Sequence, residues 1–286
     1  VHRNRDDGRY ELFGCALLSL SEYGGGQWLA KFLLTGSRCP DRDKFDRLRD
    51  REQALWVERR DEMLEAVKAN DVFMMEAFMY RCHPQCFKLR ELLKDGAIGE
   101  IRMIHGHFSY NMGHNFKNIR MSNPMAGGGI MDVGCYPVSF ARLAAGCEPV
   151  ECKATARIGP VSRVDELAAM ALYFPNGAVA SLSCGMIAAV DNTVTIYGSE
   201  GSIHFPTPWF GPARQAGFQL RRKSGVEEIK VDANLPLYAI EAAHVAANIA
   251  NRQAPAMPWA DTIGNMNALD ALRLSIGLVF DCEIER

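Results

Sequence analysis

Apolar residues recur every three or four positions in Ala126–Gly146, AGGGIMDVGCYPVSFARLAAG, where Ile130, Val133, Pro137, Phe140 and Ala144 share one helix face. Gly127–Gly129 open this helix and Gly146 closes it. Pro137 has no N–H to give the carbonyl of Val133, so a kink is predicted there. Upstream, Met63, Leu64 and Val67 predict an amphipathic helix in DEMLEAVKAN, with acidic residues in its first turn. Val72–Phe78 is apolar apart from Glu76 and predicts a strand covered on both faces. Pro84 suits the first turn of another helix, which buries Phe87, Leu89, Leu92 and Leu93 and ends at Gly96.

Period-two alternation follows. Ile101–Tyr110 reads as a strand with Ile101, Met103, His105, His107 and Ser109 on one side, and Arg102, Ile104, Phe108 and Tyr110 largely on the other. Beyond the central helix, strands are predicted at Val150–Ile158, Leu167–Phe174, Ala178–Met186, Thr193–Gly198, Ser202–Phe205, Phe218–Arg222 and Glu227–Val231. Their short connections, such as Phe174-Pro-Asn-Gly-Ala178, predict an open antiparallel or mixed sheet rather than βαβ units. Two helices, Leu237–Arg252 and Trp259–Phe280, close the chain around Pro255 and Pro258.

Val1–Arg60 has no such pattern. Leu12–Leu20 is too short to type, and Gly24 and Gly26 match two places of a dinucleotide-binding G-x-G-x-x-G while Leu29 occupies the third. Pro40–Arg60 mixes acidic and basic residues as a solvated helix surface does.

Bulk composition narrows the class. At 286 residues the chain can bury a large core and is long enough for two domains. A formal charge of −2 and a pI near 6.4 leave no electrostatic footprint for nucleic acid or an anionic membrane. No apolar run reaches the ~18 residues of a membrane span, and Val1–Asp7 does not read as a signal peptide, so a cytoplasmic protein is expected. Nine cysteines without secretory features predict reduced thiols. Cys82-His83-Pro84-Gln85-Cys86 lacks a second ligand pair, and His105 and His107 have no carboxylate or cysteine at ligand spacing, so no metal is expected.

The candidate chemistry sits on the central helix. Asp132 and Tyr136, four apart, project from one side near the helix start and bring a carboxylate beside a phenol. Spacing alone also fits an Asp132 that merely stabilises the helix start and a Tyr136 that packs in the core. Glu76 and Arg81 likewise fit a structural ion pair beside a strand end.

GGGIMDVGCYPVSFAR, with MEAFMYRCHPQ upstream and DGAIGEIRMIHGHF between, resembles the Gfo/Idh/MocA family of NAD(P)-dependent oxidoreductases over residues 61–286. Within it the resemblance is greatest to the branch of dimeric dihydrodiol dehydrogenases and NADP-dependent D-xylose dehydrogenases. The resemblance implies an α/β protein: a Rossmann-like nucleotide-binding part, here incomplete or divergent over residues 1–75, then an open mixed or antiparallel sheet domain covered by helices over residues 76–286. It implies Tyr136 as proton donor or acceptor and Asp132 as the residue that tunes it. It places Glu76, Arg81 and Arg120 beside the cofactor, NADP in preference to NAD, with Ser37-Arg38 where NADP-preferring relatives meet the 2′-phosphate. The substrate implied is a small sugar, polyol or trans-dihydrodiol, and the partner a second copy joined through the open sheet. Relatives also carry a nucleotide-binding domain on the order of 120 residues before the equivalent of Met75. They carry a Glu-Lys-Pro tripeptide whose lysine assists proton transfer; this chain has none. Val1–Arg60 therefore reads as truncated, rearranged or the product of a disrupted reading frame. A catalytically inactive chain that dimerises through its sheet is the alternative expectation.

Overall fold

The computed structural model describes residues 62–284. The readings of Gly24, Gly26, Ser37-Arg38 and Pro40–Arg60 lie outside the described residues.

One eight-stranded sheet organises the fold. Its strands are β1 (Ile101–Ser109), β2 (Glu151–Ile158), β3 (Asp165–Tyr173), β4 (Val179–Gly185), β5 (Val194–Gly198), β6 (Gly201–Phe205), β7 (Gly217–Arg222) and β8 (Gly225–Lys230). They lie in the order β2-β3-β4-β1-β5-β6-β7-β8. β1 runs parallel to β4, with Met103 opposite Val179, and antiparallel to β5, while all other neighbours are antiparallel. The sheet is thus mixed, as the short connections predict, and each predicted strand after Gly146 is present within two residues of its predicted ends.

Helix α1 occupies residues 62–69 and buries Met63, Leu64 and Val67. Val72–Phe78 is buried from Phe73 onward, but it carries single bridges at Phe73 and Glu76 rather than a named strand. It leads into α2 (Met79–Cys82) and α3 (Pro84–Lys94), whose start is capped by His83 Nδ1 accepting from Gln85 N–H at 3.1 Å. A π-turn at Ile130–Gly134 then feeds α4 (Cys135–Ala145), and α5 (Leu237–Asn248), α6 (Trp259–Ser275) and α7 (Asp281–Ile284) complete the set. α4 packs on β1 and β4, and α6 packs on β2 and α4.

The last long helix stops at Ser275, short of the predicted Phe280. Gly277 adopts φ 68°, Leu278 N–H reaches back to the Arg273 carbonyl, and the turn so made is a glycine stop inside an otherwise continuous apolar pattern. Likewise α5 gives way to a 3₁₀ turn at Ile249–Asn251 before Arg252.

The core lies between the inner sheet face and α4, α6 and the Phe73–Tyr80 segment. Trp209 is its largest fully buried side chain, stacked on Phe108 at 5.7 Å, and its Nε1 donates to the His107 carbonyl at 2.9 Å.

Candidate active site

The glycine run does two jobs that a sequence pattern cannot distinguish. A side chain at Gly127 would strike the carbonyl oxygens of Ile119 and Arg120, and Gly128 has φ 110° with its Cα against the Asp165 carboxylate. Gly127 N–H bonds the Ser122 carbonyl and Gly128 N–H the Arg120 carbonyl, each at 2.9 Å, so the loop before the helix is folded tightly back on the helix start. That folding carries Arg120, in a 3₁₀ turn at Ile119–Met121, to Asp132.

The helix opens as a π-turn and not as an α-helix. Gly134 approaches β4 so closely that a Cβ there would lie 2.9 Å from Cys184 Sγ. Pro137 stands third in α4, where its missing N–H falls at the junction of the two helix types. The predicted kink thus takes the form of one widened turn, and Gly146 supplies the predicted stop at φ 70°. Capping comes from β3: Asp165 Oδ2 accepts from Ile130 N–H at 2.6 Å. Burial pushes the Asp165 carboxyl up to about 7, against the lowering effect of its backbone hydrogen bonds.

Asp132 is buried, at 3 % exposure, and its carboxylate lies between two donors. Tyr110, just past the end of β1, donates its phenol O–H to Oδ2, and Arg120 Nε donates to Oδ1 at 3.3 Å. Arg120 is oriented in turn by Asn118, whose Oδ1 accepts from the Arg120 backbone N–H at 3.0 Å and from Nη1 at 3.3 Å. Burial, then the Asp132 charge, push the Tyr110 phenol well above its ordinary range, so this pair is a carboxylate held by a neutral hydroxyl.

Tyr136 faces elsewhere. Its hydroxyl donates to Met79 Sδ at 3.6 Å, and its ring makes edge contacts with Phe78 at 5.0 Å, Phe108 at 5.1 Å and Trp209 at 5.9 Å. Burial first, and then the anion-forming groups Cys135, Tyr238, Glu241 and Asp132, hold its phenol well above 10. The widened turn explains the separation, because i and i+4 are in phase in an α-helix and out of phase across a π-turn. The sequence reading paired Asp132 with Tyr136; the direct phenol partner of Asp132 is Tyr110.

Arg81 belongs to a second cluster. Its guanidinium donates to Asp261, to Ser139 Oγ at 3.0 Å and to the Ala256 carbonyl at 3.2 Å, tying α2 to α4 and α6. Arg142 shares Asp261 at 2.8 Å and adds a two-pronged pair with Glu148 at 2.6 and 2.7 Å. Glu76 is buried at 2 % exposure beside this segment, and it does not form the ion pair with Arg81 that its spacing also fits. Cys82 and Cys86 are buried thiols, and among the described residues no group of three or more His, Cys, Asp or Glu is arranged to hold a metal. No helix among them is long and apolar enough to cross a membrane.

Three residues of this region escape sequence reasoning. Tyr110 appears there only as one more apolar-side position of β1, Asp165 lies just before the predicted Leu167–Phe174 strand, and Asn118 is unremarked. A weak signal exists for Asn118, since Asn two residues before a turn is a common capping residue.

Residues 87–204 match the model of the GFO/IDH/MocA C-terminal domain. An uncharacterized oxidoreductase, ORF334, of Rhizobium meliloti is 28 % identical, covering 78 % of this chain and 68 % of its own length. The trans-1,2-dihydrobenzene-1,2-diol dehydrogenase of Oryctolagus cuniculus is 26 % identical, with 77 % and 68 % covered. Among solved structures, KijD10, a 3-ketoreductase from Actinomadura kijaniata in complex with NADP and TDP-benzene, superposes with a TM-score of 0.69 at 25 % identity, covering 79 % of this chain and 67 % of that one. An aldose-aldose oxidoreductase from Caulobacter crescentus shares the fold at the same TM-score and 20 % identity, over 77 % of this chain and 66 % of its own. The match thus spans about two thirds of the length of these relatives. The chain is thus similar to the GFO/IDH/MocA oxidoreductases, and the matched stretch, residues 87–204, corresponds to their C-terminal domain.

Proposed function

We propose that this chain is an NAD(P)-dependent oxidoreductase that passes a hydride between nicotinamide and a carbinol or carbonyl carbon of a small sugar, polyol or trans-dihydrodiol. The observation that carries the reading is the buried Asp132, held by Arg120 and Tyr110, one widened turn before a buried Tyr136 on a glycine-opened helix. Its relatives include dihydrodiol dehydrogenases and a 3-ketoreductase solved with NADP, which favours NADP over NAD here. The domain boundary lies near Met75, with the substrate domain at residues 76–286, and a cytoplasmic location fits the composition.

The donor set suits the nicotinamide end of such a cofactor. Arg120, Asp132 and Tyr110 form a hydrogen-bonded polar group, and the Gly24 and Gly26 pattern that would hold a pyrophosphate lies outside the described residues. When bound, the nicotinamide supplies the hydride donor or acceptor. Tyr136 is the proton donor or acceptor in this reading; burial keeps its phenol neutral and holding the proton that a forming alkoxide would take. Asp132, fixed by its two donors, sets the negative field at the helix start. Glu76 and Arg81 stand behind the segment that faces the cofactor, with Arg81 engaged by Asp261 and Ser139.

Purified full-length chain titrated with NADPH and NADH, followed by nicotinamide fluorescence, tests the cofactor. No binding of either at millimolar concentration sinks the proposal. Given binding, Tyr136→Phe is expected to lower turnover about 10²–10⁴-fold with cofactor affinity unchanged. Binding without turnover in the wild type marks the inactive alternative, since the sequence has no Glu-Lys-Pro.

The outer face of the sheet, which no helix among the described residues covers, is assigned to a second copy of the chain. With strands about 4.8 Å apart and five to nine residues long, this face spans roughly 700 Å², close to the ~800 Å² per partner of a standard interface.

A further inference from the structure

The outer sheet face carries an unusual distribution of charge. From residues 167–173 of β3 across β4, β1 and β5 to residues 202–204 of β6, the outward positions hold no Lys, Arg, Asp or Glu. Formal charge appears on that face only at the flanks, with Glu151, Lys153 and Arg157 on β2 and Arg221, Glu228 and Lys230 on β7 and β8. A solvent-facing antiparallel face ordinarily carries polar and charged residues in alternation with the core. Here Met103, Tyr173, Val179 and Tyr197 are exposed instead.

Three histidines are set into this uncharged field. His105 pairs in register with Thr195 of β5, and Thr195 pairs with His204 of β6, so the three side chains form one row across three strands. Thr195 Oγ1 and His204 Nδ1 are hydrogen-bonded at 2.9 Å, and His105 packs edge-on against Tyr197 at 5.3 Å. His107, two residues along the same side of β1, is hydrogen-bonded through Nδ1 to Ser183 Oγ of β4 at 2.9 Å. β1 is fourth of eight strands, so a two-fold axis through the middle of the face brings His105 and His107 of one copy against the same residues of the other.

We propose that this face is a proton-gated self-association surface, in which His107 and His204, set beside His105, hold two copies together while neutral and drive them apart when protonated. The proposal rests on the dimer reading given above and adds its control. The other ionisable groups around the row are few. Tyr197 faces His105 from β5, Arg221 faces His204 from β7, and β4 contributes only Ser183 to His107. Glu100 and Arg102 pair with each other at the start of β1, and Asp191 lies in the loop whose Thr193 carbonyl accepts from His107 N–H. No carboxylate is therefore hydrogen-bonded to any of the three rings to hold a proton on them.

The sign follows from burial. Burial already lowers the pKa of His107, with His105 adding to the effect; burial and then Arg221 lower that of His204. Covering the face with a second copy removes more water and lowers them further. The separated chains therefore bind more protons than the dimer. Association is at full strength above the ordinary histidine pKa of about 6.5 and weakens as pH falls below it. Each coupled histidine contributes up to about tenfold in dissociation constant per pH unit, so the four contributed by His107 and His204 of both copies give at least a roughly 100-fold rise between about pH 7.5 and 5.5.

Sedimentation velocity of the full chain at both pH values, beside the triple variant His105→Gln, His107→Gln, His204→Gln, tests this. The expected result is a wild-type dimer at pH 7.5 that dissociates at pH 5.5 and a variant that is dimeric at both. A wild type dimeric at both pH values, or a variant that dissociates at pH 5.5 as the wild type does, overturns the proton gate and leaves the dimer standing. A folded wild type that is monomeric at pH 7.5 overturns the dimer reading itself. Ser181→Arg, beside β1 on the same face, is expected to give a folded monomer at both pH values, and a dimeric Ser181→Arg overturns the assignment to this face.

Discussion

Two buried arginines, both singled out by sequence as cofactor neighbours, have opposite surroundings. Arg81 donates to Asp261, Ser139 and Ala256, groups that belong to two stretches of chain distant in sequence from it, one on α4 and one at the start of α6. Arg120 is engaged locally, with Asn118 two residues before it and Asp132 twelve residues after it. The first arrangement fastens helices to one another. The second aims one carboxylate. A buried charge near a candidate cleft is therefore informative only once its partners are known, because the same residue type serves as a rivet or as a pointer.

Breaking the rivet should have the largest effect. Arg81→Ala strands Asp261 and Ser139 in the interior beside Arg142, and an expected loss of about 3–5 kcal/mol will be visible in urea unfolding. A loss below about 1 kcal/mol would mean that Arg142 alone satisfies Asp261 and that the two clusters differ less than they look.

Glu241 of α5 is buried, with one carboxyl oxygen lacking a hydrogen bond, and its charge acts on Cys82 of α2 and Tyr136 of α4. Burial raises its carboxyl from 4.5 to about 8. A group whose pKa is raised by folding stabilises the protein fully below its ordinary value, and that contribution is lost as pH rises to the folded value. Between about pH 5 and 8 the wild type should therefore lose roughly 3–4 kcal/mol more unfolding free energy than Glu241→Gln, by thermal or urea melts. Parallel pH profiles of the two proteins would show that this carboxyl is solvated.

The pointer is tested by a double-mutant cycle of Tyr110→Phe and Asp132→Asn. A coupling of about 1–2 kcal/mol is expected for a hydroxyl on a buried carboxylate, and additivity would dissolve the pair. The smallest stability effect belongs to Arg120→Ala, about 1 kcal/mol, because its main contacts are local. Its larger consequence should be weaker NADPH binding, which Arg81→Ala should match only to the extent that it unfolds the chain.

Much of this fold is written in local chemistry. Gly127–Gly129, Pro137 and Gly146 announce the central helix, its irregularity and its end, since each acts through its own backbone. The strands after Val150 declare themselves by alternation and by turns such as Pro175-Asn176-Gly177. Long-range partners do not. Nothing near Arg81 in the sequence points to Asp261, 180 residues away, and nothing in the alternation of β1 distinguishes Tyr110 from Phe108. The phase of Asp132 relative to Tyr136 was misleading for a different reason. A 3.6-residue period carries no mark of a single widened turn, although Pro137 shows where one is tolerated.

That widened turn is, in effect, one residue too many in a helix. Deleting one position within Ile130–Gly134 would let the segment close up as ordinary α-helix and rotate everything before it by about 100° relative to α4. Asp132 would then swing away from Tyr110, and the glycine loop would lose its seat on Asp165. The site is thus keyed to the length of its helix as much as to the identity of its residues.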